Sequence, residues 1–110
     1  MPISHVAKLR RILQNGLFRA IEQLQGGHPG IAVIYTDHAP DPGLARAVFD
    51  AITRVRRESY RNLLAMIILP IVDRARGGQH LLLSNVNSDF VDRRSRALDA
   101  LKEGLGLKQV

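Results

Sequence analysis

The sequence has 110 residues, 45% of them hydrophobic, which is typical of a single globular domain spanning residues 1–110. It contains no cysteine, which excludes disulfides and thiolate chemistry, and its formal net charge of +6 favours polyanionic partners such as nucleic acid. No secretory pattern opens the chain, and the longest apolar run, Leu63–Val72, is too short to span a membrane, so we expect a cytoplasmic protein with no membrane partner.

The first predicted element is a helix, because apolar residues recur at helical spacing from Val6 to Leu24. It covers Ser4–Gln25, with the Ser4 hydroxyl as its N-cap, and Gly16 in its middle indicates close packing against a neighbour. The next element is the continuous apolar run Ile31–Thr36, which predicts a strand buried on both faces with helices on either side of its sheet.

A second helix is predicted to begin with Asp41 as N-cap and Pro42 as its first residue, and to end near residues 60–62. The segment Leu63–Leu69 is apolar throughout and predicts a second strand, parallel to the first through a right-handed crossover. A helix that continues through this segment as far as Ala75 is the alternative.

The third strand is predicted at His80–Ser84, after a turn-like segment at Asp73–Gly78. The connection is short for a crossover helix, so strands two and three are expected to form an antiparallel hairpin. Ser88 or Asn87 then caps a last helix, which Gly104 ends. The predicted fold is α/β, a small three-stranded mixed sheet flanked by helices in the order α-β-α-β-β-α. Its exposed edges predict self-association, as a homodimer or another homo-oligomer.

One candidate site follows the first strand, at the end where parallel α/β proteins gather ligands. Asp37, His38 and Asp41 form the predicted ligand pocket, since two carboxylates and an imidazole can hold a divalent ion or supply a base. A small hydrolase-like or metal-dependent enzyme built on this loop is therefore the alternative function. Helix capping explains Asp41 more simply, and the sequence has no complete catalytic or metal-binding motif, so we predict no catalytic residue, no metal ligand and no cofactor.

A second polar group follows the third strand. A nucleophilic serine there lacks the usual G-x-S-x-G surroundings, so turn and capping roles explain the group adequately. Its members are Ser84, Asn85, Asn87, Ser88 and Asp89.

Basic residues concentrate on the first helix and at the end of the second. They are read either as a phosphate-binding surface or as solvated helix faces with i, i+4 ion pairs such as Asp50–Arg54. The group on the first helix has the fewest carboxylates nearby. The predicted nucleic-acid-binding residues are Lys8, Arg10, Arg11, Arg54, Arg57 and Arg61.

The segments Lys8–Arg11, Ala20–Leu24 and His28–Ile34 resemble the back half of restriction-endonuclease-like domains, where a helix with a Gln near its end leads into a "PGI" strand. In that family an apolar strand and a strand ending in Asn follow, as at 64–69 and 81–85. The family's catalytic D…E-x-K set lies on an earlier hairpin and has no counterpart in this chain. The resemblance therefore implies a fragment or a non-catalytic relative with a connection to nucleic acid.

The leading prediction is a small, basic, non-catalytic binding protein that self-associates and contacts nucleic acid through its arginines. A protein that binds other proteins through an apolar helix face is a further alternative.

Overall fold

A computed structural model describes residues 5–24, 28–37, 40–55, 58–70, 80–105 and 107–110. Within them, three helices and one single-turn helix flank a four-stranded mixed sheet, which confirms the α/β class. The elements in chain order are α1 (His5–Gln23), β1 (Gly30–Thr36), α2 (Pro42–Thr53), α3 (Glu58–Arg61), β2 (Leu63–Pro70), β3 (Leu81–Ser84), α4 (Val91–Leu105) and β4 (Lys108–Gln109).

The sheet runs in the spatial order β1-β2-β3-β4. Strands β1 and β2 are parallel, with Ile31 beside Ala65, and β2 and β3 are antiparallel, with Ala65 beside Ser84. Both predicted pairings are therefore confirmed, and a helix over 63–70 is wrong. The turn-like segment Asp73–Gly78 and the end of the helical alternative at Ala75 lie outside the described residues.

The prediction of three strands is wrong, because the described chain end adds a fourth. Strand β4 runs parallel to β3, where the Lys108 N–H donates to the His80 carbonyl at 3.2 Å and the Val110 N–H donates to the Leu82 carbonyl at 2.9 Å. The order of elements thus gains a final strand and the single-turn helix α3. A two-residue strand has too few positions to show any alternation of apolar and polar side chains.

The boundaries of all three longer helices differ from prediction, and α4 begins at Val91 and contains Gly104 instead of ending there. Helix α1 covers His5–Gln23, and the predicted cap at Ser4 lies outside the described residues. Helix α2 begins as predicted but ends at Thr53 instead of near 60–62, because the chain tightens there: the Val55 N–H donates to the Ile52 carbonyl three residues back.

The sheet separates two apolar clusters. Helices α1 and α2 cover one face, where Leu13, Leu17 and Phe49 are fully buried against the strands. Helix α4 covers the other face through Leu98, which packs with residues of β2 and β3 such as Ile67 and Leu82. Burial of each apolar side chain contributes about 1.5–3 kcal/mol, so these two clusters provide the main stabilisation of the fold.

Strand β1 is not buried on both faces as predicted, because α4 does not reach across to it. Ala32 and Ile34 are buried toward α1, but Val33 is 49% exposed and Tyr35 is 65% exposed on the opposite face. Ile31, at the start of the strand, is partly buried and packs against the α4 cluster. None of the described residues therefore covers Val33 and Tyr35 on the face of β1 opposite α1.

We expect Gly16→Ala to destabilise the protein by about 1 kcal/mol, although alanine is the better helix former by up to about 1 kcal/mol. A Cβ at Gly16 would lie 2.6 Å from the Cδ1 and Cγ1 atoms of buried Ile34, and such overpacking costs about 1–3 kcal/mol. The matched control is Gly104→Ala in α4, where nothing lies within 4 Å, so stability should rise by about 0.5–1 kcal/mol. Urea unfolding of both variants measures the difference, and equal effects would contradict the close α1–β1 packing.

Candidate nucleic-acid interface

The orientation of α1 is fixed by its apolar face, because Leu9, Leu13 and Leu17 are all buried against the sheet. Ile12 and Gly16 lie on the same side of the helix, and positions outside this face point toward solvent, since a helix has 3.6 residues per turn. Lys8, Arg10 and Arg11 occupy such positions, and all three are exposed. The structure thus exposes all three cations on the surface of one helix.

Lys8 and Arg11 lie on the outer face of α1, together with exposed Arg19 further along the same face. Lys8 and Arg19 are about 16 Å apart along the helix axis at 1.5 Å per residue. Arg10 lies on the flank facing α2, where it lines a cavity of about 400 Å³ together with Phe18 and Val55. The cationic surface therefore continues from the outer face of α1 into the groove between α1 and α2.

No carboxylate among the described residues lies within 4.0 Å of Lys8, Arg10 or Arg11. The predicted Asp50–Arg54 pair does not form, because the Asp50 carboxylate accepts from the Arg46 guanidinium instead. Arg46 is only partly exposed and also donates to the Ser84 carbonyl, so it serves the fold. The positive charge of α1 is consequently uncompensated by its described neighbours.

The other three predicted phosphate-binding residues differ from one another. Arg54 is exposed at the end of α2 and immediately precedes Val55, which lines the same cavity as Arg10. Arg61 is 3.9 Å from the Asp89 carboxylate, so its charge is partly offset. Arg57 lies outside the described residues. The structure thus places Arg54 beside a residue of the cavity that Arg10 lines, and it places a carboxylate beside Arg61.

The predicted ligand loop is described only in part. Asp37 is exposed directly after β1, and His38 lies outside the described residues. The Asp41 carboxylate accepts the N–H of Leu44 at 2.9 Å and so caps α2, as its alternative role predicted. The cavities of about 560, 400 and 330 Å³ formed by described residues are lined by neither carboxylate. The ligand pocket at Asp37, His38 and Asp41 stays a prediction.

The polar group after β3 is a connected hydrogen-bond network. The fully buried Asn85 amide donates to the carbonyls of Tyr60 and Leu63, each at 2.8 Å, and its oxygen accepts the N–H of Asn87 at 3.0 Å. The Ser88 hydroxyl donates to the Arg61 carbonyl. Every buried side-chain nitrogen or oxygen among the described residues has a partner, which fits turn and capping roles for this group.

One surface escaped the sequence-based reasoning altogether. A cavity of about 560 Å³ follows the outer side of β1, lined by Val33 and Tyr35 of the strand and by Asn15, Arg19 and Gln23 of α1. The sequence of the run Ile31–Thr36 does not predict this cavity. An apolar strand sequence is compatible with burial of one face of the strand or of both. Alternating polarity, the usual signal, is absent here.

Comparisons with protein-family models, with curated proteins and with solved structures find no match to this chain. None of the described helices is long and apolar enough to cross a membrane. Within the described ranges, no three His, Asp or Glu side chains lie close enough together to hold a metal ion.

We expect Asp41→Asn to change stability by only a few tenths of a kcal/mol and Asp41→Ala to lower it by about 1 kcal/mol, since asparagine caps a helix as well as aspartate does. Urea unfolding of the two variants measures this. Millimolar Mg²⁺, Mn²⁺ or Zn²⁺ should leave the Tm of the unmodified protein unchanged. A rise in Tm that disappears in both Asp41→Asn and His38→Ala would instead support the metal-dependent alternative.

We expect Asn85→Ala to lower the free energy of unfolding by about 3 kcal/mol, because it leaves two carbonyls and one N–H unpaired at about 1–3 kcal/mol per buried group. The control is Asn87→Ala, which loses one part-buried hydrogen bond to the Thr53 hydroxyl and should cost about 1 kcal/mol. Both are measured by urea unfolding. A loss at Asn85 no larger than at Asn87 would contradict the structural role of the amide.

Proposed function

We propose that this protein is a small, basic, non-catalytic binding protein that contacts the phosphate backbone of nucleic acid through α1 and self-associates. One observation supports the first part: Lys8, Arg10 and Arg11 are exposed on a helix that carries four cations and one carboxylate, whereas α4 carries four cations and three carboxylates. Cations that have no protein partner attract phosphates and release the counterions condensed on a nucleic acid, which is the main source of sequence-independent affinity.

The interface we propose includes Arg54 at its border, because it adjoins the cavity that Arg10 lines. Arg57 and Arg61 complete the predicted set, with Arg61 expected to contribute least because Asp89 lies beside it. Arg19 extends the same outer face of α1. The surface offers cations but no cluster of exposed aromatic side chains on α1 beyond Phe18, so it favours backbone contacts over base stacking.

The chemistry proposed here is binding alone. Asp41 caps α2, and the Asn85 amide and the Ser88 hydroxyl donate to backbone carbonyls, so these three side chains have structural roles in the places where a reaction was considered. The resemblance to restriction-endonuclease-like domains stays a prediction, and it points to nucleic acid as well. A cytoplasmic location is part of the proposal, supported by the absence of cysteine.

We expect the protein to bind a fluorescent duplex of about 20 base pairs, DNA or RNA, at about 50 mM salt and to lose most of this affinity at about 200 mM. Replacing Lys8, Arg10 and Arg11 together by Gln should weaken binding at least about tenfold at the lower salt. The slope of log K against log salt should fall by up to about 2.7 for DNA, at about 0.9 per phosphate contact. Fluorescence anisotropy across a salt series measures both quantities.

The matched control removes the same charge from the opposite side of the sheet. Either triple replacement lowers the net charge from +6 to +3, so a general charge effect would weaken both variants equally. We expect the control to bind nearly as well as the unmodified protein. No binding by the unmodified protein at the lower salt would remove nucleic acid from the proposed function. The exposed α4 cations that Gln replaces in the control are Arg93, Arg96 and Lys102.

A further inference from the structure

Strand β1 is an outer strand of the sheet, with a described neighbour on one side only. The Gly30 N–H donates to the Asn62 carbonyl, and successive residues of a strand turn their backbone groups to alternate sides. The register shift between Gly30 and Ile31 skips Leu64 of β2, so the extra residue lies in β2 and the alternation along β1 is kept. The backbone groups of Ala32 and Ile34 therefore face β2, while the N–H and C=O groups of Ile31, Val33 and Tyr35 face outward. These three alternate residues present the N–H donors and C=O acceptors that another strand would need for pairing.

The two outer strands of the sheet are unlike each other. Strand β4 is two residues long and carries Lys108, which matches the way natural proteins keep an edge from pairing. Strand β1 is seven residues long, and between Gly30 and Thr36 it contains no charged residue and no proline. Its side chains Val33 and Tyr35 are exposed and have high β-propensity. Natural proteins protect exposed edges, so an edge that the described residues leave unprotected favours pairing with another strand.

There is room beside this edge. The cavity of about 560 Å³ is lined by Ile34, whose side chain faces α1, and also by Val33 and Tyr35, whose side chains face the other way. A cavity that reaches both sets must follow the outer side of the strand. An added strand would lie 4.7–4.9 Å from β1 in this space.

We propose that two copies of the chain pair β1 with β1, antiparallel and centred on Val33. This rests on the self-association in the proposed function and names its surface. In this register Val33 lies opposite the Val33 of the second copy, and Ile31 lies opposite Tyr35. Each of these residues then donates one backbone hydrogen bond and accepts another across the two-fold axis. The two sheets become continuous.

The side chains favour a second copy as the occupant. The register joins valine to valine and isoleucine to tyrosine, and pairs of β-branched and aromatic residues stabilise adjacent strands. No like charges within the strand oppose one another, because β1 has none. An isologous contact of this kind also closes on itself as a dimer and leaves the protected edge at β4 facing outward.

The absence of cysteine allows a direct test of the register by single cysteine replacements in the full chain. Opposed residues of a hydrogen-bonded antiparallel pair have Cα atoms about 5.5 Å apart, within the range that a disulfide spans. We expect Val33→Cys alone to form a disulfide dimer under mild oxidation. Tyr35→Cys alone should form at least about tenfold less, because its two copies lie about 13 Å apart, but a mixture of Ile31→Cys and Tyr35→Cys should crosslink.

The control for accidental contact is Val86→Cys, since Val86 is 60% exposed in the turn after β3 and lies away from β1 in the sheet. It should crosslink no more than Tyr35→Cys alone. Equal crosslinking at Val33 and Val86, or strong crosslinking of Tyr35→Cys by itself, would overturn the proposed register.

The second measurement is the mass in solution. Light scattering should give twice the chain mass of 12.2 kDa for the unmodified protein and the single chain mass for Val33→Pro. Proline removes an N–H that faces outward and so leaves the β1–β2 ladder complete, and circular dichroism should show that the variant is folded. Val33→Thr, which keeps the N–H and the branched Cβ, should remain a dimer.

The outcomes separate this inference from the proposed function. A dimer that survives Val33→Pro and does not crosslink at Val33 overturns the β1 contact and leaves self-association standing. An unmodified protein that is monomeric overturns the β1 contact and self-association together. This is also the result expected if β1 pairs only with a strand of another protein. Loss of nucleic-acid binding in the Lys8, Arg10 and Arg11 variant with the crosslinking pattern intact bears on the charge surface alone.

Discussion

The side-chain amide of Asn85, fully buried between β2 and the start of α4, fixes how the two halves of the chain fit together. It donates to the carbonyls of Tyr60 and Leu63 and accepts from Asn87, while its backbone N–H donates to the Leu64 carbonyl. Each of these groups would cost about 1–3 kcal/mol if buried without a partner, so β3 has a single favourable register against β2. That register directs the chain into α4 over β2 and β3, and the same face of β1 is left open.

The distribution of positive charge on the surface depends on which side chains the carboxylates contact. Asp50 is held by Arg46, Asp41 caps α2, and Asp89 lies beside Arg61, so three acidic side chains serve the fold at or beyond α2. Helix α1 gains no such partner from the described residues, and its cations remain free to attract phosphate. Four cations and one carboxylate give α1 a formal charge of +3, and four cations and three carboxylates give α4 a formal charge of +1, so the positive charge is densest on α1.

Local signals predicted the core of the fold well. The apolar period of α1, the Asp41 cap and the two aliphatic runs at β1 and β2 each depend on neighbours in sequence, and all are confirmed. The open face of β1 could not be predicted from local sequence. Whether α4 covers Val33 depends on the path of the chain after β3, which tertiary contacts decide. At the candidate site, the exposure of the α1 cations could be predicted from the helical period. The partner of Asp50 could not, because Arg46, which replaces the predicted Arg54, is also held by the distant Ser84 carbonyl.

The basic helix and the open strand are parts of one rigid unit, because α1 lies so close to β1 at Gly16 that a Cβ there would meet Ile34. If β1 pairs antiparallel with the β1 of a second copy, the same face of each sheet lies on the same side of the joined sheet. Both α1 helices would therefore lie on that side. Lys8, Arg10 and Arg11 alone supply fewer phosphate contacts than the roughly six to ten made by proteins whose affinity falls steeply with salt. In the proposed dimer a second copy would double the number and hold both sets at a high effective concentration. Under this proposal the edge of β1 would supply the phosphate contacts that one copy of α1 lacks.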